Sequence, residues 1–511
     1  MRTSKVLAEL TLFRSATLLG LGAVVLCVAP AMQAPMLSAQ VATTKKPAVK
    51  PSTAAAPKPT TKPTTTPTTT PTTTPATTPA AATNASNAPS AADLADDAAG
   101  DTLTVKFDVA GIPVILRRVT ANSVVAANLY LLGGVRQLTT ANAGIESMLL
   151  EASERGTQKY PRDLLRTKMA RLGGAIGVSP GLDWTTVALR STVAGFDSTW
   201  AILADRLMAP RLEPADVELV REQFITGIKQ KNDSPDALLD NLADSITYVG
   251  HPYAIDPIGT EASLTKLTVA DLRAYQKDQI VTSRMLLVVV GNVSRSRVER
   301  LVRESIGRLP RGSYAWTVPR APAALPTAYV LAKRTLPTNY LQGYFQGPPA
   351  TSKDYAALRL ACAVLSGRLF SEVRQKRNLS YEVNAPFVER AFASGGLYVT
   401  TTSPDEVLAI MRQQITDLQD GYITPDGLER LVQQFIVTYF LDNETNADQA
   451  NLLARAALYQ GDFAKATHFV ESLRAVTPED IHNAARTYMT KVRWAYVGDP
   501  SKVTPARLMR F

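Results

Sequence analysis

Metal-assisted hydrolysis of an amide needs three strong protein donors, commonly two imidazoles and a carboxylate, with a fourth position open to water. The 511-residue chain holds only three histidines, His251, His468 and His482, and no two of them can pair on one helical face. Glu146, Glu151 and Glu154 gather in one apolar helical stretch, and Glu151 and Glu154 fall on the same face. Carboxylates without imidazole hold zinc weakly, so a self-sufficient enzyme built on these three is the poorest reading. His251, in Gly250-His-Pro-Tyr253, reads as a structural loop residue. Cys362 lies in the apolar stripe Leu358-Arg-Leu-Ala-Cys362-Ala-Val-Leu365 and reads as a buried small hydrophobe rather than a nucleophile.

The segment Asn142-Ala-Gly144-Ile-Glu-Ser147-Met-Leu-Leu150-Glu151-Ala-Ser-Glu-Arg-Gly156-Thr157 nevertheless resembles a known catalytic helix. It is similar to the active-site helix of the insulinase/pitrilysin (inverzincin) metallopeptidases, where a glycine precedes His-x-x-Glu-His and a basic-Gly-Thr follows it. Gly144 and Arg155-Gly156-Thr157 keep that frame. The resemblance implies that Ser147 and Glu151 stand at the two histidine positions and Leu150 at the general base. The family's third ligand, a glutamate on a later helix, maps by its spacing to Gly227. A serine hydroxyl is a poor zinc donor, a leucine takes no proton, and a glycine offers no ligand. The motif is degenerate, and no metal or other cofactor is expected to be bound by this chain.

A second segment, Ser366-Gly367-Arg-Leu-Phe370-Ser-Glu372-Val-Arg374-Gln-Lys-Arg-Asn378-Leu379-Ser380-Tyr381-Glu-Val383, is similar to the one that supplies an Arg/Tyr pair in the same family. Arg374 and Tyr381 match that pair. The resemblance implies that they hydrogen-bond a substrate carbonyl and the oxyanion it becomes, where a fixed cation and a phenol stabilise charge that develops in the transition state. Asn378 stands where the family usually has glycine, and asparagine tolerates the left-handed backbone such a turn asks for. Lys376 and Arg377 also sit at this helix's C-terminal end, where cations suit the helix dipole.

Positioning these residues requires two copies of one arrangement. Pro214-Ala-Asp-Val217-Glu218-Leu-Val-Arg-Glu-Gln223-Phe224 is echoed by Pro425-Asp-Gly-Leu428-Glu429-Arg-Leu-Val-Gln-Gln434-Phe435. Thr268, Asp271 and the strand ending Val290-Gly291-Asn292 recur as Thr477, Asp480 and Val497-Gly498-Asp499. In both copies a Thr-capped helix leads into a buried strand closed by glycine. Thr104–Leu116 alternates around Ala110-Gly111 as a hairpin, Ser123–Leu132 reads as a strand, and 142–155, 161–172, 196–208 and 214–230 carry helical spacing. Asp197 and Ser198 read as a helix-entry pair. The expected class is α+β: two homologous halves, 103–310 and 328–511, each a sheet packed with helices, joined by a Pro-rich linker at 311–327. The family resemblance, which spans about 103–500, implies that they form a bowl or clamshell chamber.

Arg2, Lys5 and Arg14 precede an apolar run, and Leu37-Ser38-Ala39 offers a small-residue cleavage site, so 1–39 reads as a secretory signal peptide. Its removal takes Cys27 and leaves no second cysteine for a disulfide. Residues 40–102, rich in Thr, Pro and Ala, have little to bury and read as a disordered tether. The expected location is exported, periplasmic or extracellular, with no membrane span after the signal. A formal charge of +10 without a basic, aromatic-interleaved stripe argues against nucleic acid.

These readings converge on a non-catalytic subunit of a heteromeric zinc peptidase, inactive alone. A homologous partner chain would bear the zinc in a heterodimer, with extended peptides as substrates and Arg374 and Tyr381 acting in trans. The alternative is a peptidase-derived scaffold or peptide-binding protein with no proteolytic role.

Overall fold

The computed structural model describes residues 104–511; the signal peptide and tether expected over 1–39 and 40–102 lie outside the described residues. The alternating segment folds as a hairpin of β1 (Thr104–Val109) and β2 (Ile112–Arg118). Ala110 and Gly111 take φ of 55° and 82° at its tip, the pair of positive values a two-residue hairpin turn requires. Then follow β3 (Val124–Leu132), α1 (Ile145–Ala152), α2 (Arg162–Leu172), β4 (Ala175–Pro180), β5 (Trp184–Thr192) and α3 (Phe196–Met208). They are succeeded by α4 (Pro214–Asp233), α5 (Pro235–Thr247), α6 (Val269–Gln279), β6 (Met285–Gly291) and α7 (Arg295–Glu304). Residues 310–327 form neither helix nor strand. Beyond them lie β7 (Ala328–Lys333), β8 (Asn339–Pro349), α8 (Asp354–Leu369), β9 (Val383–Asn384), β10 (Phe387–Val388) and β11 (Phe392–Thr401). The second half continues with α9 (Pro404–Asp420), α10 (Pro425–Asp442), α11 (Asn446–Tyr459), α12 (Pro478–Tyr488) and β12 (Arg493–Gly498).

The duplication is written into the sheets. The first has the order β1-β2-β6-β3-β5-β4, and the second, from its other end, β7-β12-β8-β11-β10, with β9 also on β11. Setting β1 aside, the two orders coincide element for element. Both contain one parallel pair, β2 with β6 and β7 with β12, among otherwise antiparallel neighbours. The repeated helix starts coincide too: Thr268 with Asp271, and Thr477 with Asp480, each close a reciprocal capping box. One local expectation fails. Asp197 and Ser198 do not cap α3, whose N-cap is Gly195 without a side-chain bond. Asp197 instead pairs with Arg297 at 2.8 Å and Arg300 at 3.0 Å on α7, because an acidic side chain in the first turn is free to reach cations outside it.

Each sheet buries one face under helices of its own half. In the first, Val114, Leu129, Leu189 and Val289 meet Met148, Leu150, Trp200 and Val217. The opposite face is covered from the other half. Ala450, Leu453 and Ala454 of α11 pack on Ile115, Tyr130, Val288 and Val290, while Leu239 and Ala243 of α5 pack on Ala495 and Val497. Polar contacts fix both crossings: Tyr130 Oη donates to Asn451 at 2.8 Å, and Tyr398 Oη donates to Asp236 at 2.6 Å. The continuous run Met285-Leu-Leu-Val-Val-Val290 follows from this double burial, since a strand covered on both faces has no need of alternation.

Candidate functional site

Gly144 enters α1 at φ 90°, and a Cβ there would stand 2.5 Å from the Ile258 carbonyl, so the loop 256–258 and the start of α1 can approach only over a glycine. That same loop takes Ser147, whose Oγ donates to the Pro257 carbonyl at 2.7 Å with the residue 2 % exposed. Leu150 is core, beside Met148 and Leu149. Glu151 is the one candidate donor that reaches outward. Burial first, and then the charge of Glu154, push its carboxyl up, against the pull of Arg155 and Arg206. Arg155 lies 3.9 Å from Glu151 and donates to Gln223 of α4 at 2.8 Å, tying the end of α1 to α4. One turn beyond Gln223 on α4 is Gly227, where an added Cβ would meet nothing within 4 Å.

The donor set does not fit a catalytic zinc. The serine hydroxyl is spent on a backbone carbonyl, the base position is packed in the core, the third position has no side chain, and Glu151 stands alone. Among the described residues no three of His, Cys, Asp and Glu group as a metal site would. The histidines are dispersed: the His251 ring sits 4.5 Å from that of Tyr253, with its Nε2 3.1 Å from the Arg320 carbonyl, and His482 stacks 4.5 Å from Tyr422. Burial pushes the Cys362 thiol up to about 12, so it stays protonated.

Glu146 belongs to the framework rather than to a site. It accepts from Thr185 at 2.5 Å, from Tyr275 at 2.9 Å and from Arg284 at 2.9 Å, all within the core. This buried ion pair locks α1 to β5, α6 and the start of β6. Glu154 meanwhile pairs with Arg206 at 3.4 Å.

The second segment has a different character. Helix α8 runs on into a π-helical turn, Phe370–Gln375, a distortion that recurs at functional sites. Asn378 then takes φ 52°, the left-handed conformation read from its identity, and the N–H groups of Asn378 and Leu379 return to the Arg374 and Val373 carbonyls. Glu372 holds both Lys376 and Arg377. The Arg374 guanidinium is left with no hydrogen bond or ion pair among the described residues. Its guanidinium carbon lies 4.6 Å from the Tyr381 ring centre and 5.1 Å from that of Phe370. Tyr381 is 80 % exposed, and its hydroxyl likewise has no partner among the described residues. Helix α1 follows β3 as α8 follows β8; the Ser147–Glu151 stretch lies within α1, whereas Arg374 and Tyr381 lie past the end of its counterpart α8, before β9.

Comparison with known proteins decides the ancestry. Residues 113–261 match the model of the insulinase family, peptidase family M16, and residues 266–435 match that of the peptidase M16 inactive domain. The chain belongs to the insulinase family. An uncharacterised zinc protease of Streptomyces coelicolor is 22 % identical over 369 residues, 69 % of this chain and 80 % of that one. The beta subunit of the mitochondrial-processing peptidase of Blastocladiella emersonii is 20 % identical over 393 residues, 74 % and 84 % of the two chains. Among solved structures, the peptidase M16 inactive domain from Pseudomonas fluorescens superposes with a TM-score of 0.72 at 20 % identity, covering 79 % of this chain and 99 % of its own. That likeness is one of fold, two sheet-and-helix halves closed as a clamshell. Within the insulinase family, then, this chain is a peptidase-derived, non-catalytic domain.

Two features of the site had no counterpart in the sequence reading. Phe370 forms the second wall of the Arg374 stack. Strand β4 is the free edge of the first sheet beside α1, with Ala175, Gly177 and Ser179 exposed and Ile176 and Val178 half-buried. Its alternation of small with β-branched residues was the available signal, muted because the small residues are not polar enough to mark a face.

Proposed function

We propose that this chain is a non-catalytic subunit of a heteromeric zinc peptidase, exported to the periplasm or beyond. Zinc is carried by a homologous partner, while this chain presents Arg374 and Tyr381 to a peptide carbonyl. The observation that carries the reading is a cation left unneutralised while its neighbours Lys376 and Arg377 share Glu372, set against a tyrosine with its hydroxyl in solvent. A surface arginine with a merely structural task would ordinarily find a carboxylate or carbonyl; this one is held by two rings, its N–H groups free to donate. Stacking keeps both groups near one place, the preorganisation that oxyanion stabilisation depends on. The open edge of β4 suits an extended peptide added as a further strand.

The test is co-purification from the native source followed by a peptidase assay of the complex. Tyr381→Phe and Arg374→Ala should each lower kcat by about a hundredfold, the usual cost of one oxyanion donor, with assembly retained. Unchanged turnover in both variants refutes the in-trans role and leaves a peptidase-derived scaffold.

A further inference from the structure

The two sheets end differently. Beyond the five strands they share, the first carries β1 along the outer edge of β2, whereas no described strand pairs with the outer edge of β7. Leu116 of β2 and Leu331 of β7 hold the same place, opposite Val289 of β6 and Tyr496 of β12. In the first half Val105 of β1 sits on the far side of Leu116, and Ile112, Val114, Ile115 and Leu116 are all buried. No residue of β7 is buried; Tyr329 is 38 % exposed, and Lys333 is exposed as well.

The Arg334 N–H donates to the Gly498 carbonyl at 2.9 Å, so the strand's alternation turns the N–H and C=O groups of Tyr329, Leu331 and Lys333 away from β12. Of these groups only the Lys333 carbonyl has a partner among the described residues, the Arg334 guanidinium at 3.1 Å. Such an edge is a template for one more strand. Pro326 and Pro337, which have no N–H to offer, bracket the run, and its midpoint falls beside Leu331.

We infer that β7 is an interface between two copies of this chain, its edge pairing antiparallel with the same edge of a second copy about Leu331. In that register Tyr329 of each copy faces Lys333 of the other, so the lysine stem covers the ring and the ammonium lies beside it, a favourable cross-strand pair. Arg334 faces Ala328, and no like charges stand opposite each other. A register centred on Lys333 would bring two ammonium groups together. The edge is therefore complementary to itself, which a two-fold interface demands. The outward groups of Tyr329, Leu331 and Lys333 all gain partners. The pairing uses neither β4, which ends the other sheet, nor Arg374 and Tyr381, so it stands apart from the zinc-bearing partner proposed above. One strand pair buries less than the about 1,200 Å² of a stable interface, and a micromolar Kd follows.

Sedimentation equilibrium of the full chain over a concentration series tests this, and a reversible monomer–dimer equilibrium is expected. Tyr329→Pro removes an N–H that bonds nothing within one copy and sets a ring against the edge, so the dimer should be lost while the chain melts near the parent. Tyr329→Glu places an anion opposite Lys333 and Tyr329→Lys a like charge, twice per dimer. The Kd of Tyr329→Lys should exceed that of Tyr329→Glu by about tenfold, and the gap should narrow in high salt. A chain that stays monomeric throughout the series, a dimer that survives Tyr329→Pro, or equal Kd values for Tyr329→Glu and Tyr329→Lys overturns the assignment.

Discussion

The buried pair of Glu146 and Arg284 gives the sharpest quantitative expectation. Their side chains are 5 % and 1 % exposed and 2.9 Å apart. Burial by itself lowers the Arg284 pKa, and the charge of Glu146, followed by Tyr275, more than reverses this, so the guanidinium stays charged in the core. Glu146→Leu leaves that charge with only the Leu132 carbonyl at 2.8 Å and the Gln279 side chain and carbonyl beyond 3.0 Å, and strands the hydroxyls of Thr185 and Tyr275. Removing one partner of a buried ion pair costs about 3–5 kcal/mol. Because the two halves cover each other's sheets, the cooperative unit is roughly 400 residues, for which about 1 °C of Tm accompanies each kcal/mol, so scanning calorimetry should record a loss of roughly 3–6 °C. The double variant Glu146→Leu/Arg284→Met removes the stranded charge and should recover most of that loss, as hydrophobic replacements of buried pairs commonly do. A single-variant shift under about 2 °C, or a double variant less stable than the single, would show that the pair does not anchor α1.

Three further outcomes are expected. Gly227→Glu, restoring the family's third ligand position in name, should bind no zinc by metal analysis and instead raise stability by about 0.5–1 kcal/mol, because the site is an open helix interior where glycine is a poor former; a stoichiometric metal would contradict the donor geometry. Asn378→Gly should melt with the parent, whereas Asn378→Val should lose about 1–2 kcal/mol by forcing a branched side chain to φ 52°; equal stability of the two would mean the turn relaxes. Asp240 is pushed up to about 6 by desolvation, then by the charges of Asp244 and Asp236. Its proton therefore favours the folded state below the ordinary aspartate range, and that contribution is lost as pH rises through about 6. Asp240→Asn should accordingly melt above the parent at pH 7.5, with the gap closing on descent through pH 6; a gap independent of pH would remove the electrostatic explanation.

Much of the architecture was legible because its signals are local. Proline at the first turn of α4 and α10, and threonine three positions before aspartate at α6 and α12, are read from a few adjacent residues, and they located the duplication. The reciprocal covering of the sheets was not legible. Leu239 and Ala243, or Ala450 and Leu453, announce a buried helix face without saying which sheet it meets. Glu146 appears among the candidate carboxylates in sequence because its cation is 138 positions away. Arg374 stood out only by resemblance; that Glu372 takes Lys376 and Arg377 and leaves Arg374 aside depends on the π-helical turn, which no residue pattern announces.

The crossing of α5 and α11 bears on how the molecule would survive being cut. A protease nick within 310–327 breaks one covalent tie, but α5 remains clasped by the second sheet and α11 by the first. The two fragments should therefore stay together as a mutual embrace. Either piece made by itself would expose an apolar sheet face that nothing of its own can shelter, and so would be prone to aggregate, whereas the two made as separate polypeptides have the surfaces needed to find each other.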